Sequence, residues 1–165
     1  MNQSRFLLAA VAALALAACN PFRSPFKKDP VVEVNTGDVN VNSRWNGALV
    51  SPASLAGAVQ IRGTATMTPG SNSGSTRATV NLSNAAPGGV HPWQLRYGQC
   101  DADGGLFGPA EAYNALKVDD EGRASASVTV PVAMPTDGQY HVRVVASAAN
   151  PETVVACGNL APPSR

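Results

Sequence analysis

The sequence is poor in charge and in aromatic rings: 14% of its 165 residues are Asp, Glu, Lys or Arg, and 5% are Phe, Trp or Tyr. Its 12 Lys and Arg residues are scattered and the formal net charge is +1. The clustered cations that release counterions from a polyanion are missing, so nucleic acid is not an expected partner. There are two histidines, His91 and His141, and three cysteines, Cys19, Cys100 and Cys157, without Cys/His zinc spacing. Glycine-rich phosphate loops and paired-carboxylate patterns are also missing. "GSNSG" (Gly70 to Gly74) has Asn72 where a nucleophile elbow needs serine, and it sits in a hairpin. "DADGG" and "DDEG" lack the alternating acidic run and distal Glu of a calcium loop. No long segment has a 3.6-residue hydrophobic period, whereas 15 glycines and 13 prolines suit many turns between short strands.

The N-terminus carries the strongest functional signal. Met1 to Arg5 is a short charged region, and Phe6 to Ala18, "FLLAAVAALALAA", is an apolar run of 13 residues. A membrane span takes about 20 residues, so this length fits an export signal. The run ends in Leu16-Ala17-Ala18-Cys19. That tetrapeptide resembles the lipobox of bacterial lipoproteins: leucine, two small residues that fit a peptidase cleft, and a cysteine whose thiol takes lipid. The alternative is an ordinary signal peptide with a chance cysteine. The resemblance implies a leader over residues 1–18, a lipidated Cys19, and a membrane partner held through acyl chains, each buried methylene contributing about 0.8 kcal/mol. Asn20 rather than Asp after the cysteine favours the outer membrane in a Gram-negative host, with the domain facing the periplasm or the surface. Residues 19–44, with three prolines and few apolar anchors, read as a tether, although "VVEVNTGDVNV" alternates and is a marginal strand candidate.

With Cys19 assigned to lipid, Cys100 and Cys157 remain. An even pair in an exported protein reads as a disulfide. Two free thiols or a metal–thiolate site are the alternatives, and the second needs further His or Cys partners in a chain with two histidines.

From Trp45 onward the pattern has period two. Val59, Ile61, Ala65 and Met67 share one face, with Arg62, Thr64 and Thr66 on the other. Ala78, Val80 and Leu82, then Ala124, Ala126, Val128 and Val130, then Val142, Val144 and Ala146 repeat the theme. "PGSNSGS", "DDEG" and "PTDG" supply turns. With strands at Val90 to Tyr97, around Ala112 to Val118, and at "TVVACGNL", the expectation for residues 45–165 is an all-β domain. It is a sandwich or barrel of about eight antiparallel strands. Many inward positions are Ala or Val, which predicts a thin core.

Within this pattern "GVHPWQLRYGQC", Gly89 to Cys100, together with "VVACG", Val154 to Gly158, resembles copper/zinc superoxide dismutases. Those enzymes carry a G-x-H-G-F-H-V-H-x-x-G-D-C stretch and a C-terminal R-L-A-C-G. The resemblance covers about residues 45–160 and implies a Greek-key β-sandwich with a Cys100–Cys157 bond. It also implies that the chemistry has gone. The two copper-binding histidines of the stretch fall on Gln94 and Arg96, the remaining copper ligand on Val145, and the guiding arginine on Val154. "FGPAEAY" places Ala110 where a zinc ligand would sit, and the loop after Cys100 has no histidine. Copper cycling needs several imidazoles around an open site. The expectation is therefore a non-enzyme without a cofactor, a binding or structural module whose partner is an envelope protein or a small ligand. Copper enters only in the alternative, a divergent copper protein or dismutase using His91 and His141.

Alternation along the strands also nominates a surface. His91, Trp93 and Leu95 share the interior parity, while Gln94 and Arg96 share the other. If the neighbouring strand aligns, His141 and Arg143 join them on one outer face. Two guanidinium forks suit carboxylate recognition, giving a candidate anion or acidic-partner patch. The plainer reading is a solvated sheet face whose cations pair with Asp or Glu. His91 is expected to be a structural histidine bonded to loop backbone.

Overall fold

The computed structural model describes residues 43–57 and 60–163. The expected leader, Cys19, the expected tether through residue 42, the alternating "VVEVNTGDVNV" and Val59, expected to face inward, lie outside the described residues.

Ten strands follow in chain order: β1 (Trp45–Val50), β2 (Arg62–Pro69), β3 (Thr76–Ser83), β4 (Val90–His91), β5 (Trp93–Gln99), β6 (Ala102–Leu106), β7 (Leu116–Lys117), β8 (Ala124–Val130), β9 (Tyr140–Ser147) and β10 (Asn150–Leu160). Eight of them form one curled antiparallel sheet in the order β6-β5-β9-β10-β1-β2-β3-β8, and β4 pairs with β7 in a small second sheet. The all-β antiparallel class expected from the alternation is what the fold shows. Consecutive strands pair within β1-β2-β3, β5-β6 and β9-β10, but the connections between these groups and β8 span the sheet. The chain therefore crosses from β3 to β5, back from β6 to β8, and again from β8 to β9, Greek-key crossings that close the curl over a core. The first two crossings are stapled together, because β4 lies on one and β7 on the other, with Val90 opposite Lys117 and His91 opposite Leu116.

Period-two burial follows the sequence closely. Ala65 and Met67, then Ala78, Val80 and Leu82, then Val128 and Val130, then Val142 and Val144 are all buried. Small residues do line the middle of the sheet. The core is nevertheless not thin, because Trp45, Trp93, Phe107, Leu49 and Leu116 are fully buried and fill its ends. Each tryptophan satisfies its indole N–H on a loop carbonyl, Trp45 on Pro135 (3.3 Å) and Trp93 on Asn114 (2.8 Å). In the "DDEG" turn, Asp119 Oδ1 accepts the N–H groups of Glu121 and Arg123, an Asx turn before β8.

Three local expectations differ. The segment Val90 to Tyr97 is two strands in different sheets rather than one. Pro92 between them has no N–H to give a ladder, while its carbonyl accepts the Val145 N–H at 2.9 Å. Ala112 to Val118 is mostly irregular: a 3-10 turn over Ala110–Ala112 precedes the two-residue β7. Two strands without a clear signature, β1 and β6, complete the main sheet.

Candidate functional site

The outer face of β5, β9 and β10 carries two rows of residues in register. One row is Gln94, Arg143 and Cys157, and the next is Arg96, His141 and Asn159. Residues directly opposite in an antiparallel pair hold their Cβ atoms about 5 Å apart, so these side chains are neighbours. The four residues nominated by parity, Gln94, Arg96, His141 and Arg143, thus come together on the outer side of the sheet.

They are not an open, solvated patch. At Gly98 (φ +83°) the β5–β6 ladder carries a one-residue bulge, with Arg96 opposite Leu106 but Gly98 opposite Asp103. A Cβ at position 98 would meet the Ala102 carbonyl oxygen at 2.1 Å, so only glycine fits. The hairpin tip then reaches across β9 to β10. The disulfide joins Cys100 to Cys157 with Cα atoms 6.0 Å apart, and the Cys100 N–H donates to Asn159 Oδ1 at 2.8 Å. This strap accounts for the burial of His141, which is 1% exposed although its side chain points to the outer face.

The strap delivers a carboxylate. Arg96 Nε donates to Asp103 Oδ1 (2.7 Å) and Oδ2 (2.8 Å), and its Nη1 donates to Gln94 Oε1 (2.6 Å). Arg143 is less well served: Asp103 lies 3.6 Å away, the outlying Glu152 4.0 Å, and its Nη2 donates to the Pro151 carbonyl at 2.9 Å. Its Nε is buried without a hydrogen-bond partner. The Arg96 hydrogen bond holds the Asp103 carboxyl below the usual carboxylate range. Burial pushes His141 below its ordinary value; a hydrogen bond to the Gly98 backbone and the charge of Asp103 oppose this, and the two arginines add to it. His141 is therefore neutral at pH 7, with its Nδ1 buried and unpartnered.

Beside this cluster the surface dips into a cleft of about 400 Å³, floored by Gln94, Arg96 and Arg143 and walled by Pro92, Val145 and Pro151. A broader concavity of about 810 Å³ lies on the other side of the disulfide, along Val50, Leu55, Val154 and Cys157.

The donor set at the positions that the dismutase resemblance would assign to copper does not fit the metal. Gln94 offers an amide oxygen already engaged by Arg96, Val145 offers nothing, and two guanidinium groups repel a cation. His91 and His141 do not form a substitute pair. His91 Nδ1 lies 3.0 Å from the Ala146 carbonyl and 3.2 Å from that of Val145, so the ring is tied to backbone. His141 is four residues from Val145 along β9, roughly 13 Å at about 3.3 Å per residue. Among the described residues, no three His, Cys, Asp or Glu side chains are grouped to hold a metal ion. Sequence reasoning found the four residues of the face and the disulfide. It missed Asp103, whose only signal was its place two residues after a half-cystine-bearing turn. Compared with known proteins, the chain matches no family model and no curated sequence.

Proposed function

We propose that the chain is a non-catalytic envelope lipoprotein, held on the outer membrane through Cys19 and presenting a superoxide dismutase-like β-sandwich as a binding module. The observation that carries this reading is the Arg96–Asp103–Arg143 ion-pair cluster, which engages Arg96 and adjoins Gln94, two of the three positions that the resemblance assigns to copper ligands. Greek-key crossings and a bond between Cys100 and Cys157, both implied by the dismutase resemblance, support it. The working surface is then the cleft beside this cluster, lined by Gln94, Arg96 and Arg143 with His141 buried behind it, and its partner is a small envelope ligand or an acidic group on another protein.

The test is metal content and superoxide decay, measured on the protein purified without chelator and again after adding copper or zinc. The expected result is no stoichiometric metal and no activity above the buffer rate. One tightly held copper that disproportionates superoxide, lost in His91→Ala or His141→Ala, would instead establish a divergent dismutase. Anchoring is tested separately: labelled palmitate enters the wild-type chain and not Cys19→Ser.

A further inference from the structure

Charge is paired unevenly around the 400 Å³ cleft, whose lining includes Arg96, Arg143 and Glu152. Two guanidinium groups face one close carboxylate, Asp103, and that carboxylate is committed to Arg96 at 2.7 Å while standing 3.6 Å from Arg143. Glu152, the other acid in reach, is 92% exposed and only 4.0 Å away, a distance that contributes little in water. Arg143 is therefore the loosely paired cation of the cleft, its Nη groups held at 3.6 and 4.0 Å from carboxylates that a closer acid group would displace. Around that charge the walls are apolar: Pro92, Val145, Ala148 and Pro151. A single charge set among apolar side chains, in a volume within the range of small-molecule sites, defines a ligand with one acid group and an apolar body.

We propose that this cleft binds a small organic monocarboxylate, its acid group on Arg143 and its apolar portion against Val145, Ala148 and the two prolines. The proposal rests on reading this face as the binding surface of the domain. Asp103 is the built-in half of the arrangement: it neutralises Arg96 and leaves Arg143 to the ligand. The ligand carboxylate takes the place that Glu152 occupies loosely. Inorganic phosphate fits less well, because its oxygens would face the apolar walls.

The experiment is calorimetric titration of the full chain in non-ionic detergent with butyrate and benzoate, against butyramide, benzamide and inorganic phosphate. The acids should bind and the amides and phosphate should not. Arg143→Gln should weaken the acids about tenfold or more, the scale of losing a charge-assisted hydrogen bond. Glu152→Gln should tighten them about threefold by removing the competing acid. Ala148→Trp, which fills the cleft and leaves every charge in place, should abolish binding with the thermal midpoint unchanged, so that a misfolded Arg143→Gln cannot decide the matter. No heat from either acid, equal binding of phosphate, or acid binding indifferent to both Arg143→Gln and Ala148→Trp would each overturn the proposal while leaving the binding-module reading in place. Stoichiometric copper uptake requiring His91 or His141, titrated in the same samples, would overturn that reading instead.

Discussion

Removing the disulfide should cost this domain more than any single surface contact. The bond joins residues 57 apart in sequence, and for a closed loop of that length the chain-entropy relation gives about 4 kcal/mol at 25 °C. For a domain of this size, 1 kcal/mol moves the thermal midpoint by about 3–5 °C, so Cys100→Ala with Cys157→Ala should melt ~12–20 °C lower. The position of the bond adds a local effect that entropy alone does not give. Cys100 is the tip of the strap over β9, and its N–H also donates to Asn159. Without the bond, the strap should lift, wetting His141 and letting its pKa rise toward the ordinary histidine value. Calorimetry of oxidised wild type against the double variant measures the first effect, and the imidazole proton shifts of His141 against pH measure the second. A midpoint lowered by less than ~3 °C would refute the loop-entropy argument. A lowered midpoint with His141 still buried and titrating as in wild type would show that the Asp103 ion pairs, not the sulfur bridge, hold the strap down.

Three further outcomes follow from the same face. His141 has a folded-state pKa below its unfolded value, so its contribution is complete above about pH 6.5 and is lost as pH falls through the window below it, at no more than ~1.4 kcal/mol per pH unit. Urea unfolding at pH 7.5 and pH 5 should show that loss, and His141→Gln should flatten it; an unchanged slope would mean another group titrates. A double-mutant cycle on Arg96→Ala and Asp103→Ala should give a coupling of about 1 kcal/mol that shrinks in 1 M salt, since both side chains are only partly exposed; no coupling would mean that the strap is indifferent to its carboxylate. Gly98→Ala should destabilise by more than ~1 kcal/mol, because position 98 combines a positive φ with backbone at 2.1 Å; a near-neutral result in thermal unfolding would refute the bulge.

Strand class and strand faces were legible because burial on one side of a sheet writes itself into the sequence with period two. Ala78, Val80 and Leu82 face the core as their alternation requires, and the opposite parity of Gln94 and Arg96 places them outside. β1 and β6 were illegible for different reasons. In "WNGALV" the buried residues are Trp45 and Leu49, with Gly47 between them where an apolar side chain would complete the alternation. "ADGGL" has loop composition, and it is a strand because β5 offers a ladder and the disulfide holds the hairpin against the sheet.

The state of the outer face depends on the same distinction between local and distant causes. Parity tells which way Arg96, His141 and Arg143 point, and nothing in β5 or β9 tells whether water or protein meets them. That is decided by the bulged β5–β6 hairpin, whose backbone at Gly98 admits only glycine, and by Cys157, which is 57 residues from Cys100 in sequence and directly opposite Arg143. The hairpin covers His141 and satisfies Arg96, yet its Asp103 carboxylate stops 3.6 Å from Arg143. A purely structural cation on an outer face has no need of a cleft beside it, and a solvated one has no need of a strap. Arg143 has both, which is why this loosely paired charge, rather than the buried histidine or the disulfide, is the part of this face on which a function can be tested.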